Sequence, residues 1–331
     1  MPRSTETSIA DRLLQSYQRD FPLVPQPFAE IATEMGSTER AVRAACDALI
    51  GGGVVARIGG VVRPNTIAAS TLAAVAVPDL ATNSVAEMIS ALDGVNHVYL
   101  RENPINLWFV ATGPDRNFVE ATLKEVERLS GQPVLDLRLE HSFHIDLGFP
   151  LKGGPKTHNP LTNPVVAYRS EPCDRHLVQI LTSGLAIHPR PFELIGAQFR
   201  ISEGAVIARL KHLVQSGVVT RIGAIIRHRA LGWRSNAMVV WDVDPSEMEG
   251  KARILARHRG INLCYRRKRH ADRWPYNLYC MIHAKSRESA LRTLEQASRR
   301  AGLDGNPREV LFSSRCYKQT GALIVSSKEA A

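Results

Sequence analysis

The chain has 331 residues and a net charge of +10, with 44% hydrophobic and 22% charged residues, a composition typical of globular proteins. No apolar run approaches the roughly 18 residues that a membrane span requires, and the amino terminus lacks a secretory signal, so we expect a soluble, cytoplasmic protein without membrane contacts. Five scattered cysteines, none in a Cys-x-x-Cys pair, argue against a disulfide framework and a structural zinc site.

The sequence contains an internal repeat. The segment RIGGVVR at residues 57–63 recurs as RIGAIIR at residues 221–227, an offset of 164. The Pro-Phe pair at residues 27–28 recurs at residues 191–192 with the same offset. Matches that keep one spacing over such a distance indicate that the chain is a tandem duplication.

The first 55 residues or so of each copy predict three helices followed by a hairpin. In the second copy, apolar residues follow helical spacing over residues 206–214. Ser202 is typical of a helix start and Gly217 of a helix end. The β-branched segment at 217–227 then predicts a hairpin that forms a wing. Each copy therefore begins with a winged helix-turn-helix.

The rest of each copy predicts the order strand, helix, strand, strand, helix, strand. In the first copy these elements are Leu72 to Val77, Val85 to Leu92, Val95 to Arg101, Asn106 to Thr112, Phe118 to Leu129 and Val134 to Leu139. This β-α-β-β-α-β order is that of the ferredoxin-like sandwich. We expect the sandwiches of the two copies to pair around one cavity, lined by the second and third strands of each.

A linker separates the two copies. Residues 151–164 hold three prolines and two glycines and almost no apolar residue. The predicted fold class is therefore α+β, a tandem duplication of a winged helix-turn-helix plus a ferredoxin-like sandwich. The predicted domains are winged helix 1 (1–70), ferredoxin-like lobe 1 (71–150), the linker (151–165), winged helix 2 (166–234) and ferredoxin-like lobe 2 (235–331).

The two halves carry opposite charge. Residues 1–150 contain 12 basic and 18 acidic residues, whereas residues 151–331 contain 30 and 14. Such halves attract each other, and the basic half retains enough charge to hold a strongly anionic partner. Nucleic acid and a polycarboxylate both meet that description.

A winged helix followed by a ferredoxin-like lobe resembles the Lrp/AsnC family of transcription regulators over nearly the whole of each copy. Several stretches go beyond that family and resemble the two subunits of the sirohaem decarboxylases, here fused into one chain. These stretches are residues 94–109 in the first copy, residues 264–267 and 274–283 in the second, and residues 143–149 and 315–318 near the ends of the copies. The sequence departs from the expected pattern at His144, where we expect a lysine-like residue.

This resemblance implies a carboxy-lyase that removes the C12 and C18 acetate carboxyls of sirohaem. The products are 12,18-didecarboxysirohaem and CO2, in haem d1 biosynthesis of denitrifiers or in an alternative route to haem. It implies no cofactor of the protein's own, because the iron belongs to the tetrapyrrole substrate. The implied partners are sirohaem, its decarboxylated product and other enzymes of the haem d1 pathway.

Side chains on one strand face are the candidate substrate contacts. Alternation places His97, Tyr99 and Arg101 on one face. At an offset of 166 the second copy has Leu263, Tyr265 and Arg267, with Arg269 next, so only the Tyr/Arg pair is duplicated. Arginine binds carboxylates bidentately, and sirohaem carries eight carboxylates. The predicted substrate-binding residues are Tyr99, Arg101, Tyr265, Arg266, Arg267, Arg269, Trp274, Tyr317 and Lys318.

These candidates have plainer alternatives. Residues 266–269 are also compatible with a solvated run of charges, half of which faces water by alternation. The tyrosines serve core packing equally well. Trp274, like Trp108, suits a packing wall as well as a macrocycle face.

Two histidines are the candidate catalytic residues. Neutral His97 suits axial coordination of the substrate iron and, when protonated, donation of a proton as CO2 leaves. His283 shares a strand face with Tyr279 and Met281, from which it would reach the same cavity. Structural histidines at strand ends are the alternative, and the sequence does not assign which histidine performs which task.

Two other functions compete with the decarboxylase. A DNA-binding regulator is favoured by the winged helices and the basic charge. The predicted recognition helices, however, start at Ser37-Thr-Glu and Ser202-Glu, offer few polar groups for base readout, and belong to a tandem fusion rather than a symmetric dimer. DNA is therefore the less favoured partner. A non-catalytic haem sensor would need the same binding face, and only turnover separates it from the enzyme.

Overall fold

The computed structural model describes residues 8–145, 168–270 and 272–326. It divides into two compact units, each of which takes one part from both copies. The winged-helix unit contains the described residues up to 66 and from 168 to 231, and the sandwich unit contains the others. The predicted linker at 151–165 lies outside the described residues. None of the described helices is long and apolar enough to cross a membrane.

The order of elements is the same in both copies, except that the first copy ends with two short strands where the second ends with one long strand. The first copy contains α1 (Ile9–Ser16), α2 (Pro27–Met35), α3 (Glu39–Gly51), β1 (Val55–Val62), β2 (Ala69–Val75), α4 (Thr82–Ala91), β3 (Val95–Arg101), β4 (Leu107–Gly113), α5 (Arg116–Ser130), β5 (Leu135–Leu137) and β6 (Leu139–Ile145). The second contains α6 (Asp174–Ser183), α7 (Pro191–Phe199), α8 (Glu203–Gln215), β7 (Val219–Ile226), β8 (Ser235–Trp241), α9 (Pro245–Ala256), β9 (Ile261–Arg267), β10 (Leu278–Ala284), α10 (Arg287–Ala301) and β11 (Arg308–Gln319). The predicted α+β duplication is confirmed.

The helix signals of the sequence act as expected at α8. The Ser202 hydroxyl accepts a hydrogen bond from the backbone N–H of Ala205 at 3.2 Å, which satisfies one of the donors left free at the start of the helix. The helix ends at Gln215, and Gly217 follows with a φ of 75°, a conformation that favours glycine.

The predicted wing hairpins are wrong. Each copy contributes one strand, and β1 pairs antiparallel with β7, so that Gly59 lies opposite Gly223. The glycines do not make a turn. Instead, their lack of a side chain permits the close approach of a helix end. A Cβ on Gly59 would lie 2.3 Å from the Leu181 carbonyl oxygen of α6, and a Cβ on Gly223 would lie 2.5 Å from that of Gln18.

The arginines of the repeat also bind across the two copies. Arg63 Nε donates to the Gly217 carbonyl at 3.0 Å, and Arg221 Nη1 donates to the Gln18 carbonyl at 2.6 Å. Both acceptors lie just beyond helix C-termini, where carbonyl groups lack partners within the helix. The repeated segment therefore holds the two winged helices together.

The sandwich unit contains a nine-stranded sheet in the order β5-β2-β4-β3-β11-β8-β10-β9-β6. The last strand of each copy starts in its own lobe and ends in the other. Strand β11 pairs with β8 over residues 308–312 and then with β3 over residues 313–319. Likewise β5 pairs with β2, and β6 pairs with β9. Only one residue, Arg138, separates β5 from β6. The final strand predicted for the first copy, Val134 to Leu139, includes β5 and only the first residue of β6.

Three buried clusters follow from this topology. Helices α4 and α5 cover one lobe, and α9 and α10 cover the other, each with its own apolar core. A third cluster contains residues from the opposite faces of the strands in both lobes: Ala74, Trp108, Leu135, Leu137, Met238, Val240, Trp274, Tyr279 and Leu311. We call the face that carries this third cluster the inner face.

Candidate active site

The inner face of β3 carries a row of polar side chains. Val98 belongs to the helix-covered core, so the alternating residues His97, Tyr99 and Arg101 lie on the inner face. The His97 and Tyr99 rings are 6.3 Å apart between centroids, and the Arg101 guanidinium carbon lies 5.6 Å from the Tyr99 ring centroid. The structure thus brings together three of the residues predicted from the first copy.

Arg101 is buried, with 6% of its surface exposed. Its Nη1 donates to the Leu311 carbonyl at 3.0 Å and makes a longer contact of 3.5 Å with Asn236 Oδ1. Leu311 and Asn236 belong to the second copy, so the guanidinium from the first copy is held by the other lobe.

His283 is buried between two asparagines. Its Nδ1 lies 3.2 Å from Asn262 Oδ1, and its Nε2 lies 3.0 Å from Asn236 Nδ2. Because Asn236 also contacts Arg101, a chain of polar contacts connects the predicted carboxylate clamp with a predicted catalytic histidine. Neither asparagine was predicted from the sequence. They could have been found from the sequence because each is an asparagine within a predicted strand, where this residue is unfavourable.

The duplicated Tyr/Arg pair has a different environment. Arg267 Nη1 donates to the Leu137 carbonyl at 2.8 Å, as Arg101 does to Leu311, and its guanidinium carbon lies 5.1 Å from the Tyr265 ring centroid. Burial lowers the pKa of Arg267. The cross-strand pair Asn236/His283 corresponds to Ser70/Thr112 in the first copy. The polar chain therefore has no histidine at its duplicated position.

Aromatic residues fill the centre of the inner face. The Trp274 and Trp108 rings are 5.1 Å apart, and Trp274 Nε1 donates to Tyr279 Oη at 2.8 Å. Burial raises the pKa of Tyr265 and of Tyr279 above the ordinary value, so both phenols stay protonated at neutral pH. Trp274 is buried, which agrees with the packing-wall interpretation.

Two predicted arginines bind protein carboxylates. The expectation that Arg269 continues the face of Arg267 is wrong, because β9 ends at Arg267. Arg269 instead pairs with Asp242 at 2.9 Å and donates to the Val243 carbonyl. Arg266 pairs with Glu140 at 3.1 Å.

The last strand segments contact helix α4 or the edge of β9. Tyr317 Oη donates to Asn83 Oδ1 at 2.5 Å, and Lys318 Nζ donates to the Leu92 carbonyl at 3.0 Å. Burial lowers the pKa of Lys318. His144 is buried on β6 opposite Cys264, whereas residues 146–149 of its motif lie outside the described residues. Tyr317 and Lys318 therefore have no described contact with Arg101 or His283.

Family models match both parts of each copy. The AsnC-like ligand binding domain matches residues 67–144 and 230–318. The siroheme decarboxylase NirDL-like HTH domain matches residues 11–55 and 174–219. Together the two models repeat once along the chain, as the internal duplication requires.

Curated relatives and a solved structure extend the match to nearly the full length. The chain is 45% identical to the "Siroheme decarboxylase NirDL subunit" of Paracoccus denitrificans, over 95% of this chain and 96% of the relative. It is also 45% identical to the "Siroheme decarboxylase NirD subunit" of Stutzerimonas stutzeri, over 44% of this chain and 95% of that subunit. The crystal structure of the siroheme decarboxylase NirDL in complex with an iron-uroporphyrin III analogue superposes with a TM-score of 0.68 at 26% identity, covering 95% of this chain and 94% of that one. The chain therefore belongs to the sirohaem decarboxylases of the NirDL type, carboxy-lyases built on a duplicated AsnC-like fold.

Proposed function

We propose that this chain removes the C12 and C18 acetate carboxyls of sirohaem as two molecules of CO2, in the pathway to haem d1. The observation that carries the proposal is the buried chain of contacts from Arg101 through Asn236 to His283, beside His97 and Tyr99. In this network a guanidinium and an imidazole lie on the inner face, and these groups suit the binding of a carboxylate and the delivery of a proton.

In each step the bond between the acetate methylene and its carboxyl carbon breaks. The electron pair stays with the macrocycle, which delocalises it, and a proton added to the methylene carbon leaves a methyl group. Arg101 binds a substrate carboxylate and orients the ring, and a buried site strengthens that interaction. Clamping the other carboxylates while the reacting one loses its charge favours the transition state over the bound substrate.

The histidines have the remaining roles. His97 or His283 supplies the proton, and His97 is also the candidate axial ligand of the iron, which is part of the substrate. Tyr265 and Arg267 are proposed to bind carboxylates of the same macrocycle. Arg266 and Arg269 already pair with the protein carboxylates of Glu140 and Asp242, whereas Arg101 and Arg267 bond only to backbone carbonyls or an amide among the described contacts. Tyr317 and Lys318 bond to Asn83 and to the Leu92 carbonyl at helix α4. These four residues therefore rank below Arg101 and Arg267 as clamps.

The test is anaerobic incubation of the purified protein with sirohaem, followed by mass spectrometry of the extracted tetrapyrrole. We expect two successive losses of CO2, and their disappearance in His97→Ala or His283→Ala ties that histidine to the reaction. His188→Ala, at an exposed position of the winged-helix unit, is the matched control and retains both losses. Binding without loss of mass would favour a haem sensor. The absence of both binding and turnover would contradict the proposal.

A cytoplasmic location and onward transfer of the product to other haem d1 enzymes complete the proposal. Cys264 and Cys280 lie directly opposite each other on neighbouring strands, and both are free thiols. In a reducing compartment such facing cysteines remain thiols.

A further inference from the structure

The contacts of His283 assign its tautomer. Asn262 Oδ1 lies 3.2 Å from both the backbone nitrogen and Nδ1 of His283. A backbone N–H is only a donor, so it fixes the Asn262 amide with its oxygen towards His283. The ring nitrogen Nδ1 faces that same oxygen and therefore carries a proton.

The other side of the ring is fixed independently. Arg101 is only a donor, so the atom of Asn236 that it contacts is the amide oxygen. The amide nitrogen of Asn236 then points to Nε2 of His283 at 3.0 Å. Nε2 must accept this bond, so it holds no proton. These two described bonds match the tautomer of His283 that carries its proton on Nδ1.

In this state His283 has no Nε2 proton to donate. A proton on Nε2 would face the N–H groups of Asn236, and Asn236 cannot turn its amide over without presenting N–H groups to Arg101. The contact between Arg101 and Asn236 is long, at 3.5 Å. A substrate carboxylate makes a stronger, charge-assisted bond to the guanidinium and would displace it.

We propose that Asn236 is a positioning residue that couples carboxylate binding at Arg101 to protonation of His283. When a carboxylate takes the guanidinium, the Asn236 amide turns, its oxygen accepts from Nε2, and His283 takes up a proton from solvent. The Nε2 proton passes to the substrate carbon when its bond to the Asn236 oxygen breaks, which returns His283 to the neutral form. The inference rests on the proposed function, because it uses Arg101 as the carboxylate clamp and His283 as the acid.

Several charged and titratable groups lie on the described elements around His283. Strand β3 contributes Arg101 and His97, and Lys285 follows the end of β10. Arg287 of α10, which covers the opposite face of β10, pairs with Glu102 at 2.7 Å. Among these groups, Arg101 is the cation connected to His283 by a described hydrogen-bond chain through Asn236.

The test is nitrogen NMR of the full chain labelled with 15N-histidine, with the His283 signals assigned by their loss in His283→Gln. The probe is metal-free uroporphyrin III, a diamagnetic octacarboxylate. In the unmodified protein we expect the neutral Nδ1–H form without the probe and the doubly protonated form with it. Asn236→Asp provides an oxygen and a negative charge at once, so it should show the doubly protonated form without the probe.

Asn236→Leu should bind the probe, as judged by its absorbance, but leave the His283 signals unchanged. Its decarboxylation rate should fall about 10²-fold, the size expected for loss of a positioned acid. Ser70→Ala, at the duplicated position, is the matched control and should behave like the unmodified protein in both measurements. Circular dichroism shows whether Asn236→Leu is folded. If it is not, Asn236→Ser is used in its place.

Two results would overturn the inference. One is an unmodified protein that binds uroporphyrin III while the His283 signals stay unchanged. The other is an Asn236→Leu variant whose His283 responds as in the unmodified protein. The tautomer without the probe does not depend on turnover, so a failure of the proposed function, seen as no CO2 loss from sirohaem, is distinguishable from a failure of the coupling.

Discussion

Asp174 shows how far the two copies have diverged at the scale of single residues. Its side chain is fully buried and accepts hydrogen bonds from Arg209 Nε at 2.6 Å, from the Glu171 backbone at 2.8 Å and from Tyr168 Oη at 2.5 Å. Burial alone would raise the pKa of this carboxyl, but these bonds outweigh burial and hold the pKa below its usual value. Its counterpart in the first copy, Asp11, is exposed.

Asp174→Asn should lower the free energy of unfolding by about 3 kcal/mol at pH 7, because it leaves the largely buried Arg209 without its nearest counter-charge. A carboxyl with a lowered pKa stabilises the fold above its unfolded pKa of about 4, and this contribution is lost as the pH falls through the folded pKa. The difference between the variant and the unmodified protein should therefore shrink under acid. Urea unfolding at pH 7 and pH 3.5 measures it.

Asp11→Asn is the control and should change stability by less than about 0.5 kcal/mol. An equal loss of stability in Asp174→Asn at both pH values would show that the carboxylate charge is not what stabilises this corner.

At the scale of elements, the pairing of β1 with β7 gives the winged helices a role in holding the copies together. Helix α6 packs on β1, and the Leu185 backbone N–H donates to the Ile58 carbonyl at 2.7 Å. The duplicated bond runs from the Phe21 N–H to the Ile222 carbonyl at 3.1 Å, and the Ala224 N–H donates to the Tyr17 carbonyl at 2.7 Å. The wing strands therefore bind each other and the helices of the other copy.

Gly59→Ala should destabilise the protein by about 1–3 kcal/mol, because the new methyl group collides with backbone rather than with a flexible side chain. Gly250→Ala, within α9 and with no atom within 4 Å of its added methyl group, should instead stabilise by about 0.5–1 kcal/mol. Thermal unfolding of both variants measures the contrast. Similar effects of the two substitutions would show that helix α6 does not approach β1 this closely.

At the scale of the whole molecule, three pairings between described strands join the copies: β1 with β7, β3 with β11 and β6 with β9. Each copy alone would expose unpaired strand edges and part of the third cluster on the inner face. Exposed edges of this kind promote aggregation. The arrangement explains how one chain can correspond to relatives that occur as separate subunits.

Residues 1–150 and 166–331, produced as separate chains, should each aggregate or remain partly folded alone. When produced together, they should form a stable one-to-one complex, because all three pairings form between the two segments. Size-exclusion chromatography and circular dichroism measure both outcomes, with the full chain as reference. A folded, soluble monomer of either segment alone would contradict this expectation.

The sequence alone determined the duplication, the element order and the row on β3. These features depend on local periodicity and capping: β3 spans Val95–Arg101, as predicted, and Ser202 caps α8. The spacing of Tyr99 and Arg101, repeated in the second copy, was sufficient to identify the candidate binding face. The family resemblance was likewise visible in contiguous motifs.

Only the tertiary structure decided which copy each strand pairs with. The partner of a strand depends on contacts between residues more than a hundred positions apart. The residues of the Gly-Gly segment in β1, or of the last strand of a copy, do not by themselves indicate which strand will pair with them. The same holds for Asn236, whose role arises because Arg101 reaches it from the other lobe. The sequence thus specified the chemical groups and the strand faces, while long-range strand pairing selected the groups that meet.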